Sequence, residues 1–207
     1  MAKPDFSPSA ERNKQPILDV LQSVLPAQGT ALEIASGTGQ HVEWFATHLP
    51  QWTWQPSDLQ RGALYNIEVR AAEAGLDNVL EPLLLDVQKE PWFAEARSFD
   101  LIYCANMLHI APWQACTALM QGCARHLAPD GLLVTYGPYF EQGVDATPGN
   151  VEFDQSLRAH DPAWGIRLLQ DVDQEAKKAG LNLRDIHRMP ANNLLLVFAK
   201  AGDNHTP

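Results

Sequence analysis

The sequence is short of the residues that staple or anchor a chain. It holds three cysteines, Cys104, Cys116 and Cys123, in 207 residues. They form no CxxC pair, and an odd number argues against a disulfide framework. Cys116 and Cys123 fall two helical turns apart on one face, a spacing that suits small buried apolar residues. The seven histidines include neither HExxH nor a His/Cys cluster with zinc spacing, so no metal is expected. No apolar run approaches the roughly 20 residues of a membrane span. The start, MAKPDFSPSAERNK, lacks the apolar stretch of a signal peptide. These absences lead to the expectation of a cytoplasmic protein with no membrane contact. Basic residues are scarce too: 15 Lys and Arg stand against 25 Asp and Glu, a net charge of −10. Repulsion from phosphate disfavours nucleic acid as a partner.

What is present reads as an ordinary globular protein, with 45% hydrophobic and 19% charged residues. The length fits one domain, able to bury roughly 70% of its unfolded surface. The first ten residues and the last six are polar and read as frayed. Between them, short apolar runs alternate with stretches of helical spacing, the pattern of an α/β sandwich with a mainly parallel sheet. An amphipathic leading helix spans Asn13 to Leu25 and stops at Pro26. Strands follow at Thr30–Ile34, Trp52–Trp54, Leu83–Leu85, Phe99–Cys104 and Leu132–Tyr136. Helices are expected at Gln40–His48, Leu59–Ala74 and Pro112–Leu127, with a turn at Pro129–Gly131. Gly137 to Gly165 reads as a long irregular stretch rich in aromatics, too long to be a plain connection. A helix from Ile166 to Ala179 precedes two strands, Leu183–Met189 and Leu194–Ala199. So short a link between them implies an antiparallel hairpin, which Asn192 and Asn193 would close with φ > 0. The expected plan is one domain of four parts: an N-terminal arm and cap helix (1–27), a ligand-binding core (28–136), a lid segment (137–165), and a final helix and hairpin (166–200).

The strongest chemical signal is Glu33-Ile-Ala-Ser-Gly-Thr-Gly39. A strand that ends in an acid and a small-residue turn that opens a helix bring backbone N–H groups and a positive helix end to a ligand. Gly37 and Gly39 permit the tight turn and close approach. Glu33, Asp58 and Asp86 each lie at or just past the carboxyl end of one of the first three strands. In an open parallel sheet those ends face one crevice. An acid after the second strand can accept both ribose hydroxyls, and one after the third can meet an adenine amine, while Glu33 can offset a cation. Together they suit a nucleoside that carries positive charge. Asp58 also fits a cap on the helix from Leu59, and Asp86 an ordinary loop carboxylate.

These residues resemble a class I S-adenosylmethionine-dependent methyltransferase. Glu33-x-Ala-x-Gly-x-Gly39 resembles its first motif, Asp58 its second, Leu85-Asp86-Val87 its third and Phe99-Asp100 through His109 its fourth. Leu127-Ala-Pro-Asp-Gly-Leu-Leu133 resembles the motif leading into strand five. Ala35 departs from the pattern, standing where the family has its first glycine; alanine costs little there if its φ is negative. Glu11-Arg-Asn-Lys-Gln-Pro-Ile17, Trp54-Gln-Pro-Ser-Asp58, Cys104-Ala-Asn-Met-Leu-His-Ile110, Asp161-Pro-Ala-Trp-Gly-Ile-Arg167 and Pro190-Ala-Asn-Asn193 resemble the methyltransferase-like-26 group, also labelled domain of unknown function 938. The resemblance implies a Rossmann-like sandwich with a mostly parallel seven-stranded sheet and S-adenosyl-L-methionine as cofactor. It leaves the methyl acceptor open.

The implied cofactor set is Arg12, Asn13, Glu33, Ala35, Gly37, Gly39, Asp58, Asp86, Val87 and Asn106. Arg12 and Asn13 would precede the leading helix, with Arg12 pairing the methionine carboxylate. His109 is the candidate base, since histidine titrates near neutrality; it reads equally as a packed histidine bonded to backbone. Tyr136, Tyr139, Trp164 and Asn192 are candidate contacts to a small-molecule acceptor, and Arg158 and Arg167 could hold its carboxylate or bridge Asp154, Asp161 or Asp171. The chain has no Asp/Asn-Pro-Pro-Tyr/Phe motif, which disfavours amino methylation of adenine or glutamine. Two other readings stay open. A nicotinamide-dependent oxidoreductase shares the turn and the acid but would carry GxGxxG, and a non-catalytic cofactor-binding module shares the fold.

Overall fold

The computed structural model describes residues 4–202. The frayed ends expected from composition fall in part on residues 1–3 and 203–207, outside the described residues. The elements in chain order are α1 (Pro8–Val24), β1 (Gly29–Ile34), α2 (Gln40–His48), β2 (Trp52–Asp58), α3 (Arg61–Glu73), β3 (Leu83–Leu84), β4 (Phe99–Ala105), α4 (Trp113–His126), β5 (Leu127–Phe140), α5 (Pro148–His160), β6 (Arg167–Leu168), α6 (Leu169–Lys178), β7 (Leu181–Met189) and β8 (Asn193–Lys200). Two short 3-10 turns, Leu108–Ile110 and Pro190–Asn192, join them.

The sheet runs β3-β2-β1-β4-β5-β8-β7. β1 to β5 are parallel neighbours, while β8 pairs antiparallel with β5 and β7 with β8. This is the mostly parallel sheet with a terminal antiparallel hairpin that the alternating pattern implied. β6 is an addition, pairing with the tip of β5 at Tyr139 and Phe140.

Each face of the sheet is covered by helices because its strands are apolar on both sides. Ile17, Leu21, Val42, Phe45, Trp54 and Ile67 fill the core under α1, α2 and α3. Leu119, Met120, Val172, Ala176, Leu196 and Phe198 fill the core under α4 and α6. Burying one such side chain contributes roughly 1.5–3 kcal/mol. All three cysteines are free and buried, as their spacing implied, and burial pushes the Cys116 thiol up to about 12. Among the described residues no helix is long and apolar enough to cross a membrane.

Four expectations are corrected. The leading helix starts at Pro8, not Asn13, because the Ser7 side chain caps it by accepting from the Ala10 amide at 3.3 Å and Pro8 occupies its first turn. The stretch from Gly137 to Gly165 is not irregular: β5 continues to Phe140, and Thr147, accepting from the Asn150 amide, caps the 13-residue α5. The segment Pro129–Gly131 is an irregularity within β5, whose register jumps between the Phe99↔Leu127 and Leu101↔Leu132 pairs. The last hairpin is closed by Ala191 (φ +58°) and Asn192 (φ +57°), with Asn193 extended at φ −89°.

Candidate functional site

The glycine turn leaves β1 with Ala35, Gly37 and Gly39 all left-handed, at φ +56°, +56° and +75°. The negative φ under which alanine would cost little at Ala35 is therefore not met. An alanine there costs roughly 1 kcal/mol that a glycine would not. Gly39 serves packing: a Cβ on it would come within 3.0 Å of the Ile67 backbone in α3. Gly37 is open above, since a Cβ there would meet only the Ala35 carbonyl at 4.0 Å. The Gly37 amide donates to Asp58 Oδ2 at 2.9 Å, and the Gln60 amide to Oδ1 at 2.8 Å. Asp58 is thus not the cap residue of α3, a position Gln60 holds without a side-chain bond. It forms a local turn before the helix and ties that turn to the glycine loop.

Glu33 is the most unusual group. It is 1% exposed, and its Oε2 has no hydrogen-bond partner among the described residues. Burial pushes its carboxyl up to about 8, against a hydrogen bond from Ser36, and the Asp58 charge adds to the rise. An unpartnered buried carboxyl is costly unless a cation joins it. Asp86 stands two residues beyond β3. Its Oδ1 accepts from the Gln88 amide at 3.0 Å and its Oδ2 lies 3.4 Å from Lys89. Val87 is buried, and its carbonyl accepts from Trp92 Nε1 at 3.0 Å. Asn106 is left-handed at φ +56°, and its amide donates to the Tyr136 carbonyl at 2.8 Å, joining the ends of β4 and β5.

Arg12 and Asn13 lie inside α1 rather than before it. Arg12 is exposed, its guanidinium 3.5 Å from Ser9 Oγ. Asn13 is buried, with Oδ1 2.7 Å from His41 Nε2; the other ring nitrogen of His41 is 3.3 Å from the Tyr103 hydroxyl. Burial raises the Tyr136 phenol, opposed by hydrogen bonds from Asn13 and Asn193. These contacts join α1, α2, β4 and the β8 entry in one buried polar chain. Sequence reasoning missed His41 and Gln40, although both follow the glycine turn directly. Gln40 Oε1 accepts from the Ser7 amide at 2.6 Å and its Nε2 donates to Glu11 at 3.1 Å, fastening the N-terminal arm over the turn.

His109 sits in the 3-10 turn after β4 and is 7% exposed. Burial pushes its imidazole down to about 4, helped by the Arg167 charge, so the ring is neutral near pH 7. Its ring meets Phe153 of α5 edge-on, centroids 5.6 Å apart. Arg167 donates from Nε to the Leu108 carbonyl at 2.9 Å and from one terminal nitrogen to the carbonyls of Ala111 and Ala163. Arg158 is paired with Asp154 at 2.8 Å. Neither arginine is set to hold a substrate carboxylate; one clamps backbone and the other pairs within α5. Of the four expected acceptor contacts, Tyr139 and Asn192 line one cavity of about 280 Å³. The Tyr139 hydroxyl is turned away, donating to Thr135 Oγ1 at 2.9 Å. Trp164 packs on His160, centroids 4.9 Å apart, and Tyr136 lies under α1; neither lines that cavity.

Solved structures share this architecture. CalO1, described as a methyltransferase in calicheamicin biosynthesis in its SAH-bound form, superposes with a TM-score of 0.74 at 16% identity, over 93% of this chain and 54% of that one. An O-methyltransferase family protein from Burkholderia thailandensis gives 0.78 at 16% identity, over 93% and 58%. A putative O-methyltransferase from Nostoc punctiforme PCC 73102 gives 0.79 at 17% identity, over 91% and 56%. The chain spans a little over half the length of each, and at these identities the similarity concerns the fold. The match to the family described as protein of unknown function, DUF938, runs over residues 4–200, nearly the whole chain, and the chain belongs to that family.

Proposed function

We propose that this protein is an S-adenosylmethionine-dependent methyltransferase of the methyltransferase-like-26 type, acting in the cytoplasm on a small molecule and not on nucleic acid. The observation that carries the reading is Glu33: a buried carboxyl with an unpartnered oxygen, beside a left-handed glycine turn, fits a cationic ligand that is also a nucleoside. The similarity to methyltransferase structures, one of them in an SAH-bound form, supports the same cofactor.

S-adenosylmethionine supplies, when bound, an electrophilic methyl group on a sulfonium. Glu33 would face its ammonium or sulfonium charge, with Arg12 and Asn13 at the carboxylate end. The turn from Ala35 to Gly39 would receive the polar backbone of the ligand, and Asp58 would accept from the ribose through the lone pairs left beside Gly37 and Gln60. Asp86, Val87 and Asn106 would border the adenine. His109, neutral and buried, would take a proton from an acceptor hydroxyl, the one step that needs a base in an in-line displacement.

Calorimetry with S-adenosylmethionine and its demethylated product tests the cofactor, with binding of both in the micromolar range expected. If neither binds at high micromolar concentration, the reading fails. Labelled cofactor incubated with cell extract then tests transfer: label in the small-molecule fraction is expected, and no label in any fraction leaves only a binding module.

A further inference from the structure

The cavity of about 280 Å³ lies between the tip of β5, the first turn of α5 and the β7–β8 turn, away from the glycine loop. We propose that it binds the methyl acceptor and that the acceptor is a small molecule without negative charge, with an apolar body about the size of one ring and an amide or hydroxyl edge. The acceptor role rests on the methyl-transfer reading above; the ligand class rests on the cavity alone.

Position comes first. Asn150 lines the cavity and Phe153, one turn further along α5, packs on the His109 ring. On β5, Tyr139 lines the cavity, and a Cβ on Gly137 would come 3.5 Å from His109 Nδ1. The cavity is therefore separated from the imidazole by one helical turn, roughly 5 Å, and the 5.6 Å ring contact beyond it.

Chemistry follows from the walls. Phe140, Met189 and Leu194 give apolar surface, and Asn150, Asn192 and Asn193 converge with three amides. Asn150 Nδ2 donates to the Asn192 carbonyl at 3.4 Å and Asn193 Nδ2 to the Pro190 carbonyl at 3.2 Å. Each of these amides keeps further donor and acceptor capacity. Charge on the walls is cancelled or negative. Arg188 is held by Glu141 through two bonds of 2.8 and 3.1 Å, and Asp145 adds a further carboxylate. With Arg158 and Arg167 engaged elsewhere, an anionic acceptor finds no counter-ion. The volume falls just under the ~300 Å³ at which drug-sized sites begin, so the ligand is small. Ala191 and Asn192, two successive non-glycine residues with left-handed φ, form the turn above the cavity. Strain of this kind persists where surrounding structure and function hold it.

The test uses the full chain without cofactor and three probes of one shape: para-hydroxybenzamide (neutral), para-hydroxybenzoate (anionic) and para-hydroxybenzamidine (cationic), each titrated by ligand-observed NMR. The neutral probe, like the cationic one, is expected to bind about tenfold more tightly than the anionic one. Asn150→Leu and Asn192→Gly should each weaken it about fivefold or more. Asn192→Gly relieves the left-handed residue, so it keeps the fold while removing the amide. Equal or better binding of the anionic probe, unchanged affinity in both variants, or no probe bound by a protein that still binds S-adenosylmethionine would each overturn the proposal. If the neutral probe binds but the cofactor does not, the acceptor role falls with the methyl-transfer reading and the ligand class stands.

Discussion

The amide of Gly37 donates to the carboxylate of Asp58 at 2.9 Å, so the loop after β1 and the acid after β2 act as one unit. Asp58 therefore holds the loop, and on the proposed reading it has a second task, to accept from the ribose. Asp58→Ala should weaken S-adenosylmethionine by roughly 1–3 kcal/mol, the value of charged hydrogen bonds, and also destabilise the fold. Asp58→Asn retains an acceptor for only one of the Gly37 and Gln60 amides, so it should lose less stability than Asp58→Ala and still bind the cofactor less well. Calorimetry beside thermal melts separates the two tasks; full affinity in a folded Asp58→Ala protein would remove the ribose role.

Glu33 sets an alkaline limit on stability. Its folded pKa of about 8 stands above its ordinary 4.5, so its contribution is complete below pH 4.5 and is lost as pH rises through 8. Between pH 6.5 and 8 the fold should lose about 1–2 kcal/mol from this group. Glu33→Gln should abolish that slope, raise the melting temperature at pH 8 and weaken cofactor binding. His41 and His109, both pushed down to about 4 by burial, act in the opposite direction: stability present above pH 6.5 is lost as pH falls toward 4. Denaturant melts across pH 4–9 should thus peak near about pH 6.5. A wild-type curve that keeps rising to pH 8 would contradict the buried state of Glu33.

Ala35→Gly removes the one non-glycine residue of the left-handed series in the glycine turn. It should stabilise the protein by about 0.5–1 kcal/mol, the strain relieved less the entropy gained by the unfolded chain. Its cofactor affinity should not fall. A destabilised variant would mean that the alanine methyl packs usefully.

Arg167 holds the turn of His109 through three backbone carbonyls, at Leu108, Ala111 and Ala163. Arg167→Met should cost about 1–2 kcal/mol, because the part-buried carbonyls of Leu108 and Ala111 lose a charged donor. Arg167→Lys should recover only part, since one ammonium cannot reproduce the planar fork. NMR titration should show the His109 ring neutral down to about pH 5 in the wild type and protonated at higher pH in Arg167→Met, which removes the opposing charge. His109→Gln should leave cofactor affinity intact and lower label transfer by about 10²–10⁴-fold.

The parallel half of the sheet was legible because strands buried on both faces, such as Leu101–Cys104 and Leu132–Thr135, read as unbroken apolar runs. The acids followed from the strands, since their carboxyl ends define the crevice. α5 was not legible because its only buried residue is Leu157, which leaves no apolar stripe to count. The continuation of β5 was hidden by Gly137-Pro138, residues that ordinarily break a strand. The early start of α1 had a signal that went unused, a capping serine directly before a proline. The polar chain through Asn13, His41 and Tyr103 depends on contacts between distant segments, which no local pattern encodes. Arg158 follows the local alternative, a bridge to Asp154 four residues earlier in α5, whereas the backbone carbonyls that Arg167 takes at Leu108 and Ala111 are a matter of tertiary placement.

That α5 buries one leucine has a consequence for how such a protein can diversify. The stretch from Glu141 to Ile166 is anchored at both ends by the sheet yet contributes little to the interior, so replacements there are nearly free of folding cost. On the proposed reading, new acceptors would be acquired by exchanging this single cassette, while the glycine turn and its acids are inherited unaltered.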